Sequence, residues 1–294
     1  MLVKEVTGDQ AAALRRMASP KPVKVIAVSS GKGGVGKTNV SVNLATTLAR
    51  QGREVMLLDA DLGLANVDVL LGLSSRYNLS HVIEGRVSLE EVVVEAPGGV
   101  KIVPASSGTA RMAELTHAEH VGLIRSFSEL SYDLDYLIID TAAGIADGVI
   151  SFTRAARDVV VVVCDEPASL TDAYALIKVL SGEHGVQRFH VVANRVAGPE
   201  EGYRLFGKLS MATTRFLDVT LDYLGAVPED PYLRKAVQSL RPVVLAYPSC
   251  PAARAYTEMA RRVEKWPLPT RAEGHLEFFV ERLIQYSGDV GSVM

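Results

Sequence analysis

The sequence predicts an α/β fold, a mainly parallel twisted sheet with helices on both faces, and three observations predict it. Short continuous apolar runs rich in valine and isoleucine alternate along the chain with stretches of helical apolar spacing. That is the rhythm of strands buried on both faces and joined by crossover helices. A glycine-rich stretch joins the first such strand to the first such helix, and acidic residues stand at the ends of later strands, where open parallel sheets bind their ligands.

Length and composition bound the function classes. The 294 residues suffice for one large α/β domain or two small ones, and 48% hydrophobic with 22% charged residues describes a globular chain. The formal net charge of −3 comes without a basic stripe, which argues against direct nucleic-acid binding. Cys164 and Cys250 lie far apart with no CxxC pair, which favours a reducing cytosol and offers no metal or cluster framework. The N-terminus lacks a signal-peptide apolar core, and the longest strongly apolar run, 159–164, is too short to span a bilayer, so a soluble or peripheral chain is expected.

Taken in order, residues 1–22 read as a separate lead segment. Asp9 can cap a helix of about two turns over 10–17, too short to be stable alone, before the extended linker Ser19-Pro20-Lys21-Pro22. Residues 23–266 hold the strand–helix alternation. A β-branched strand at 23–28 is followed by Ser29-Ser30-Gly31-Lys32-Gly33-Gly34-Val35-Gly36-Lys37-Thr38 and a helix over 39–51. In this context the glycines form a phosphate-binding loop, with backbone N–H groups and a helix N-terminus directed at anionic oxygens. Residues Gly31, Lys32, Gly33, Gly34, Val35, Gly36, Lys37, Thr38 and Asn39 are therefore the expected nucleotide contacts. Lys37 reaches the β- and γ-phosphates, and the Thr38 hydroxyl serves Mg²⁺.

Gly52 ends that helix, and a strand at 55–58 runs into Asp59-Ala60-Asp61, which places Asp59 and Asp61 near the phosphates. Residues 62–99 read weakly, with short helices near 79–84 and 89–94. A strand at 100–103, a helix at 117–130 and a strand at 136–139 lead to Asp140-Thr141-Ala142-Ala143-Gly144. The strand 159–164 and Asp165-Glu166-Pro167 precede a helix at 170–180, and a strand at 191–193 ends at Asn194. Helices near 200–217, 232–240 and 252–263 and a strand at 223–227 complete the pattern. His117 and His120 share a helix face without a third ligand and read as a solvated pair, and Cys250 has no base beside it.

Residues 267–294 form a linker, Trp266-Pro267-Leu268-Pro269 onward, and a last helix at 275–286. On a helical wheel Leu276, Phe279, Val280, Leu283 and Ile284 share one face, Glu277, Glu281 and Gln285 the other, and Phe278 falls outside the pattern. Such a helix lies at a membrane surface or docks on its own domain.

The segment Lys32-Gly33-Gly34-Val35-Gly36-Lys37-Thr38 resembles the deviant Walker A motif of the MinD/ParA family of ATPases. The resemblance covers about residues 23–266 and implies that Lys32 crosses a homodimer interface to the partner's nucleotide; the bland alternative leaves it as charge for its own phosphate site. It also implies that Asp140, in a segment similar to the DTxxG switch, organises the Mg²⁺ water shell. In Asp59-Ala60-Asp61-Leu62-Gly63-Leu64, similar to the first MinD-group switch, Asp59 supports the metal shell and Asp61 orients the attacking water. An exposed carboxylate with a pKa near 4 is a poor base, so Asp61 positions rather than deprotonates. Asn194 falls where the family reads its base, and with no NKxD-like guanine reader the nucleotide is expected to be ATP. The implied activity is Mg-dependent ATP hydrolysis.

Within the family, Asp9-Gln10-Ala11-Ala12-Ala13-Leu14-Arg15 resembles the DQAxxLR segment of the FlhG/FleN group of flagellar-number regulators, and segments 59–72, 165–178 and 274–283 are similar to it as well. This implies that Asp9, Gln10, Leu14 and Arg15 engage and activate an FlhF-type GTPase. It further implies restraint of a FleQ-type transcriptional activator and a cytoplasmic protein reversibly at the inner membrane face near a pole. Rival roles on this fold are division-site selection, DNA partition and iron–sulfur transfer, the last of which needs a cysteine pair at a dimer seam.

Overall fold

A computed structural model describes residues 21–105, 115–269 and 277–279, which form one eight-stranded sheet. The strands are β1 (Lys24–Ser30), β2 (Val55–Ala60), β3 (Val94–Ala96), β4 (Val100–Val103), β5 (Tyr136–Ala143), β6 (Asp158–Val163), β7 (Arg188–Val196) and β8 (Thr220–Pro228). They lie in the order β3-β4-β2-β5-β1-β6-β7-β8, parallel except for the antiparallel edge pair β3–β4. The sheet grows in both directions from β1. The crevice at its C-terminal end is thus the topological switch point where such sheets bind ligands.

Burial explains the composition of the strands. β1 and β2 are buried along their whole lengths because helices cover both faces. Alternate residues serve the two sides: Ile26 and Val28 enter the core under helices α1 (Lys37–Arg50), α6 (Pro231–Gln238) and α7 (Pro251–Glu264), while Val25 and Ala27 face the opposite side. There α2 (His117–Ser126) and α3 (Asp147–Arg154) cover one half, and α4 (Pro167–Gly182) and α5 (Pro199–Phe216) cover the other. Lys24 ties the end of α7 to β1, its buried Nζ donating to Val263 O at 3.1 Å and Glu264 O at 3.2 Å. Beyond α7, Trp266 stacks on His190 with ring centroids 3.9 Å apart.

The main sequence-derived elements are present, and three expectations are corrected. β3 occupies 94–96, where a helix was expected to continue from 89; the helix stops at Val92 and the chain turns to pair with β4. Helix α3 was not foreseen, because its short β-branched stretch becomes helical by burying Val149, Ile150 and Phe152. His120 is not solvated: it is buried edge-on against Phe152, and burial holds its pKa below the ordinary value.

The C-terminal segment is also corrected where it can be seen. Residues 278–279 form a turn rather than part of a helix, with Phe279 at φ 55°. Phe278 and Phe279 are each 1% exposed. Phe127 meets their rings edge-on at 5.0 and 6.2 Å, and Phe152 stacks on Phe278 at 6.5 Å. Adjacent residues on a helix point about 100° apart, so a helix cannot send both rings into one pocket; the left-handed turn does. Phe279 is therefore in the protein core rather than on an outward face. Leu276, Val280, Leu283 and Ile284 lie outside the described residues, as do Asp9, Gln10, Leu14 and Arg15.

If this pair fastens the tail to the domain, Phe278→Ala should lower the unfolding free energy by about 3 kcal/mol, the usual size for a buried Phe→Ala change. Thermal melting should then fall by roughly 6–12 °C. An unchanged melting curve would mean that the segment is not fastened there.

Candidate functional site

The loop between β1 and α1 is held from beneath by a few close contacts. Gly36 adopts φ 93°, and a Cβ there would stand 2.2 Å from Asn194 Nδ2, so glycine is required twice over. Asn194 Nδ2 donates to Val35 O at 2.6 Å, and Cys164 Sγ donates to the same oxygen at 3.5 Å. Gly31 lies against the backbone of α4, where a Cβ would fall 2.1 Å from the Asp172 carbonyl. Gly31 thus packs the loop onto its neighbour, while Gly33 and Gly34 face open space.

Above the loop is a cleft of about 440 Å³ lined by Gly33, Gly34, Gly36, Lys37, Thr38 and Asn39 with Asp61. It continues into a second hollow of about 400 Å³ beside Asn194, Pro228, Leu233 and Val237. Gly36, Asn39, Arg195 and Val237 line both. Two hollows with shared walls, one against the glycine loop and one that sets Pro228, Leu233 and Val237 beside Arg195, Glu229, Asp230 and Arg234, suit a phosphate chain and a nucleoside.

Two carboxylates stand side by side at the sheet's end of this cleft. Asp59 on β2 and Asp140 on β5 are register partners, and both are buried. Asp59 spends its oxygens on the following loop: Oδ1 accepts from Asp61 N–H at 3.1 Å, and Oδ2 from Asn66 and Val67 N–H at 2.9 and 3.0 Å. It clamps the loop that carries Asp61. Burial, reinforced by the neighbouring Asp140, pushes its pKa up to about 7. Asp140 accepts from Ser41 Oγ at 2.8 Å through Oδ1, while Oδ2 has no protein partner among the described residues. Burial raises its pKa, opposed by Lys37 and by the Thr38 and Ser41 hydroxyls. Asp61 is half-buried, with its pKa raised by burial and pulled back by Lys37. These all-oxygen donors beside Lys37 fit a hydrated Mg²⁺ on a nucleotide.

Two of the expected site residues make contacts within the chain that no motif announces. Asn194 is buried under the loop and lines the base hollow, giving one amide N–H to Val35 O, while its Oδ1 has no protein partner among the described residues. Lys32 is bonded within its own chain, its Nζ 2.5 Å from Glu166 Oε2 at the N-cap of α4. Three residues of the site were missed by sequence reasoning, Ser41 buried behind the cleft and Arg195 and Pro228 in its lining. Ser41 lies one helical turn beyond Lys37 and carried no motif. Arg195 follows Asn194 at a register shift of β7 and takes φ 56°, so the bulge aims it at both hollows. Pro228 ends β8, where Val-Pro-Glu-Asp-Pro after a strand was the available signal.

Comparison with known proteins follows the same lines. The ParA family, described as NUBPL iron-transfer P-loop NTPase, matches residues 21–264. The chain is 59% identical over 273 residues to the antiactivator FleN of Pseudomonas aeruginosa, covering 93% of this chain and 98% of the relative. It is 34% identical over 270 residues to the flagellum site-determining protein YlxH of Helicobacter pylori, covering 90% and 91%. Among solved structures, the septum site-determining protein MinD of Pyrococcus horikoshii complexed with Mg-ADP superposes with a TM-score of 0.69 at 26% identity, covering 83% of this chain and 96% of that one.

The carboxylate pair predicts a pH dependence. Because the folded pKa of Asp59 is raised above its unfolded value near 3.8, its contribution to stability is fully present below about pH 4 and is lost as pH rises through about 7. Nucleotide-free protein should therefore lose melting temperature between about pH 4 and 7, and Asp59→Asn should flatten that slope. A slope as steep in the variant as in the wild type would remove Asp59 as its source.

Proposed function

We propose that this chain, which belongs to the ParA family of P-loop NTPases and within it to the FlhG/FleN flagellar-number regulators, is an ATP-driven switch that acts as a homodimer. It is a P-loop ATPase of the MinD/ParA type. The convergence of the glycine loop, Lys37, Thr38 and Asp61 on one cleft, with the buried Asp140 interacting with Lys37 and Thr38, carries the reading. Bound Mg-ATP supplies the transferable phosphoryl group and the charge-neutralising cation. Lys37 holds the phosphates, Asp140 with Thr38 and Ser41 holds the cation's oxygen shell, and Asp61, on the loop clamped by Asp59, orients water. Arg195 and the apolar walls at Leu233 and Val237 hold the sugar and base.

Lys32 serves the partner's nucleotide in the dimer. Within one subunit it pairs with Glu166, so assembly requires that exposed ion pair to open, at a small cost for a surface bridge. The ATPase unit is residues 23–266, with the partner-binding segment 1–22 before it and the amphipathic segment 267–294 after it. The relatives' names support a role in flagellar number and placement. On that reading the switch restrains a FleQ-type activator, stimulates an FlhF-type GTPase through Asp9, Gln10, Leu14 and Arg15, and works in the cytoplasm, reversibly at the membrane. No helix of the described residues is long and apolar enough to cross a membrane. The iron-transfer role in the family's description finds little support: the chain has two cysteines, 164 and 250, each buried, and neither stands in a CxxC pair.

Lys37→Ala should abolish ATP binding, whereas Asp61→Ala should bind ATP normally and lose phosphate release by at least about a hundredfold, the scale of losing a positioned catalytic group. Equilibrium binding of a fluorescent ATP analogue and a phosphate-release assay separate the two. An Asp61→Ala enzyme with wild-type turnover would contradict its assignment.

A peptide of residues 1–21 should accelerate GTP hydrolysis by an FlhF-type GTPase, and changing Gln10 and Arg15 to alanine should cancel the effect. GTPase turnover that ignores the peptide would refute the partner assignment.

A further inference from the structure

Trp266 follows the end of α7 and lies flat on the imidazole of His190, with ring centroids 3.9 Å apart and planes 19° apart. The histidine is buried on β7, and each of its ring nitrogens has its own carboxylate. Nε2 is 3.5 Å from Asp158 Oδ1 on β6, and Nδ1 is 3.8 Å from Oδ2 of Asp222, its register partner on β8. Among the described residues Nε2 has no hydrogen-bond partner.

This arrangement suits one charge state. A neutral imidazole has one N–H and one lone pair, so either tautomer sets a lone pair against a carboxylate oxygen. The imidazolium has an N–H on both sides, and its charge is also attracted to the face of the indole. The other charges nearby are accounted for. Arg188, two residues before His190, holds Nε 3.7 Å from the same Asp222 oxygen, and Lys24 on β1 interacts electrostatically with Asp158. Each carboxylate thus answers to a second cation, and neither is given over to the histidine. On α7, Glu264 pairs with Arg53 at 2.7 Å, Arg262 donates to the carbonyls of Tyr223 and Leu224, and Lys265 is exposed.

The helix is fastened independently of the stack, because Lys24 Nζ donates to the carbonyls of Val263 and Glu264. What His190 holds is Trp266, after which the chain continues into Pro267-Leu268-Pro269. Proline fixes its own φ, so a direction set at Trp266 is carried into the residues that follow.

We propose that His190 is a pH-sensitive latch: protonated, it bridges Asp158 and Asp222 and holds the indole of Trp266, fixing the direction in which the chain leaves α7, and loss of the proton frees Trp266 and the proline segment. Histidine is the side chain whose change of charge ordinarily falls between about pH 5 and 8, so the latch closes on the acid side and opens on the alkaline side. It lies toward the N-terminal ends of the strands, away from the nucleotide cleft, and rests on neither the nucleotide nor the flagellar reading.

Trp266 is the only tryptophan of the chain, which makes its emission a direct reporter. The full-length protein, saturated with Mg-ADP at constant ionic strength, is titrated from about pH 5 to 9, and tryptophan emission and its quenching by acrylamide are read. In the wild type, rising pH should shift the emission to longer wavelength and increase acrylamide quenching in one single-proton step. His190→Gln should abolish the step, and His184→Gln should leave it in place. Asp222→Asn, at a half-exposed position, should move the step to lower pH, because the imidazolium loses one of its carboxylates. Such a displacement is a result that misfolding does not produce. A wild-type signal that is flat across the range, a step that persists in His190→Gln, or one that stays in place in Asp222→Asn would overturn the proposal.

Discussion

The Val35 carbonyl, pulled inward by the Asn194 amide and the Cys164 thiol, is the contact on which the site depends. A glycine-rich loop has no side chains of its own to hold a shape, and its conformational entropy is high. Here it is held by contacts from three strands and a helix. β1 delivers it, β6 and β7 supply Cys164 and Asn194 beneath it, and α4 lies flush against Gly31. Gly36 in its left-handed conformation then starts α1, whose first residues Lys37 and Thr38 face the cleft. The sheet order matters because only adjacency of β1, β6 and β7 brings those supports under one loop.

On the other side of β1 the same logic operates with charge. Asp59 and Asp140 sit in register on neighbouring strands, and burial raises the cost of ionising each, reinforced at Asp59 by Asp140 and at Asp140 by Asp61. Lys37 and the hydroxyls of Thr38 and Ser41 offset that cost at Asp140, and three backbone N–H groups offset it at Asp59. A cleft that concentrates carboxyl groups around one lysine gains from a bound cation, which links nucleotide occupancy to the electrostatics of the sheet's end. Asp61 follows Asp59 by two residues and is carried on the clamped loop, so strain or order at Asp59 reaches it through the backbone.

Much of this was legible because it is local. The strand–glycine–helix order fixes the phosphate loop, and continuous apolar runs such as 159–164 announce parallel strands. What escaped depends on contacts between residues distant in sequence. Glu166 lies 134 positions from Lys32, and Asn194 lies 159 from Val35; no spacing rule reports such pairings. Ser41 reads as an ordinary helix residue until β5 sets Asp140 beside it. Helix α3 and the turn at Phe279 go against local signals because burial of Phe152, Phe278 and Phe279 in one cluster outweighs helix periodicity.

The proposed nucleotide-controlled assembly is the reading that binds these features together: the glycine loop, Lys37 and Thr38 line one cleft within a single subunit, while Lys32 pairs with Glu166 of its own chain. Measuring the mass of the full-length wild-type protein by multi-angle light scattering, with saturating Mg-ADP and with a nonhydrolysable ATP analogue, tests it most directly. The account predicts a monomer with ADP and a dimer with the analogue. The same mass with both nucleotides would contradict it.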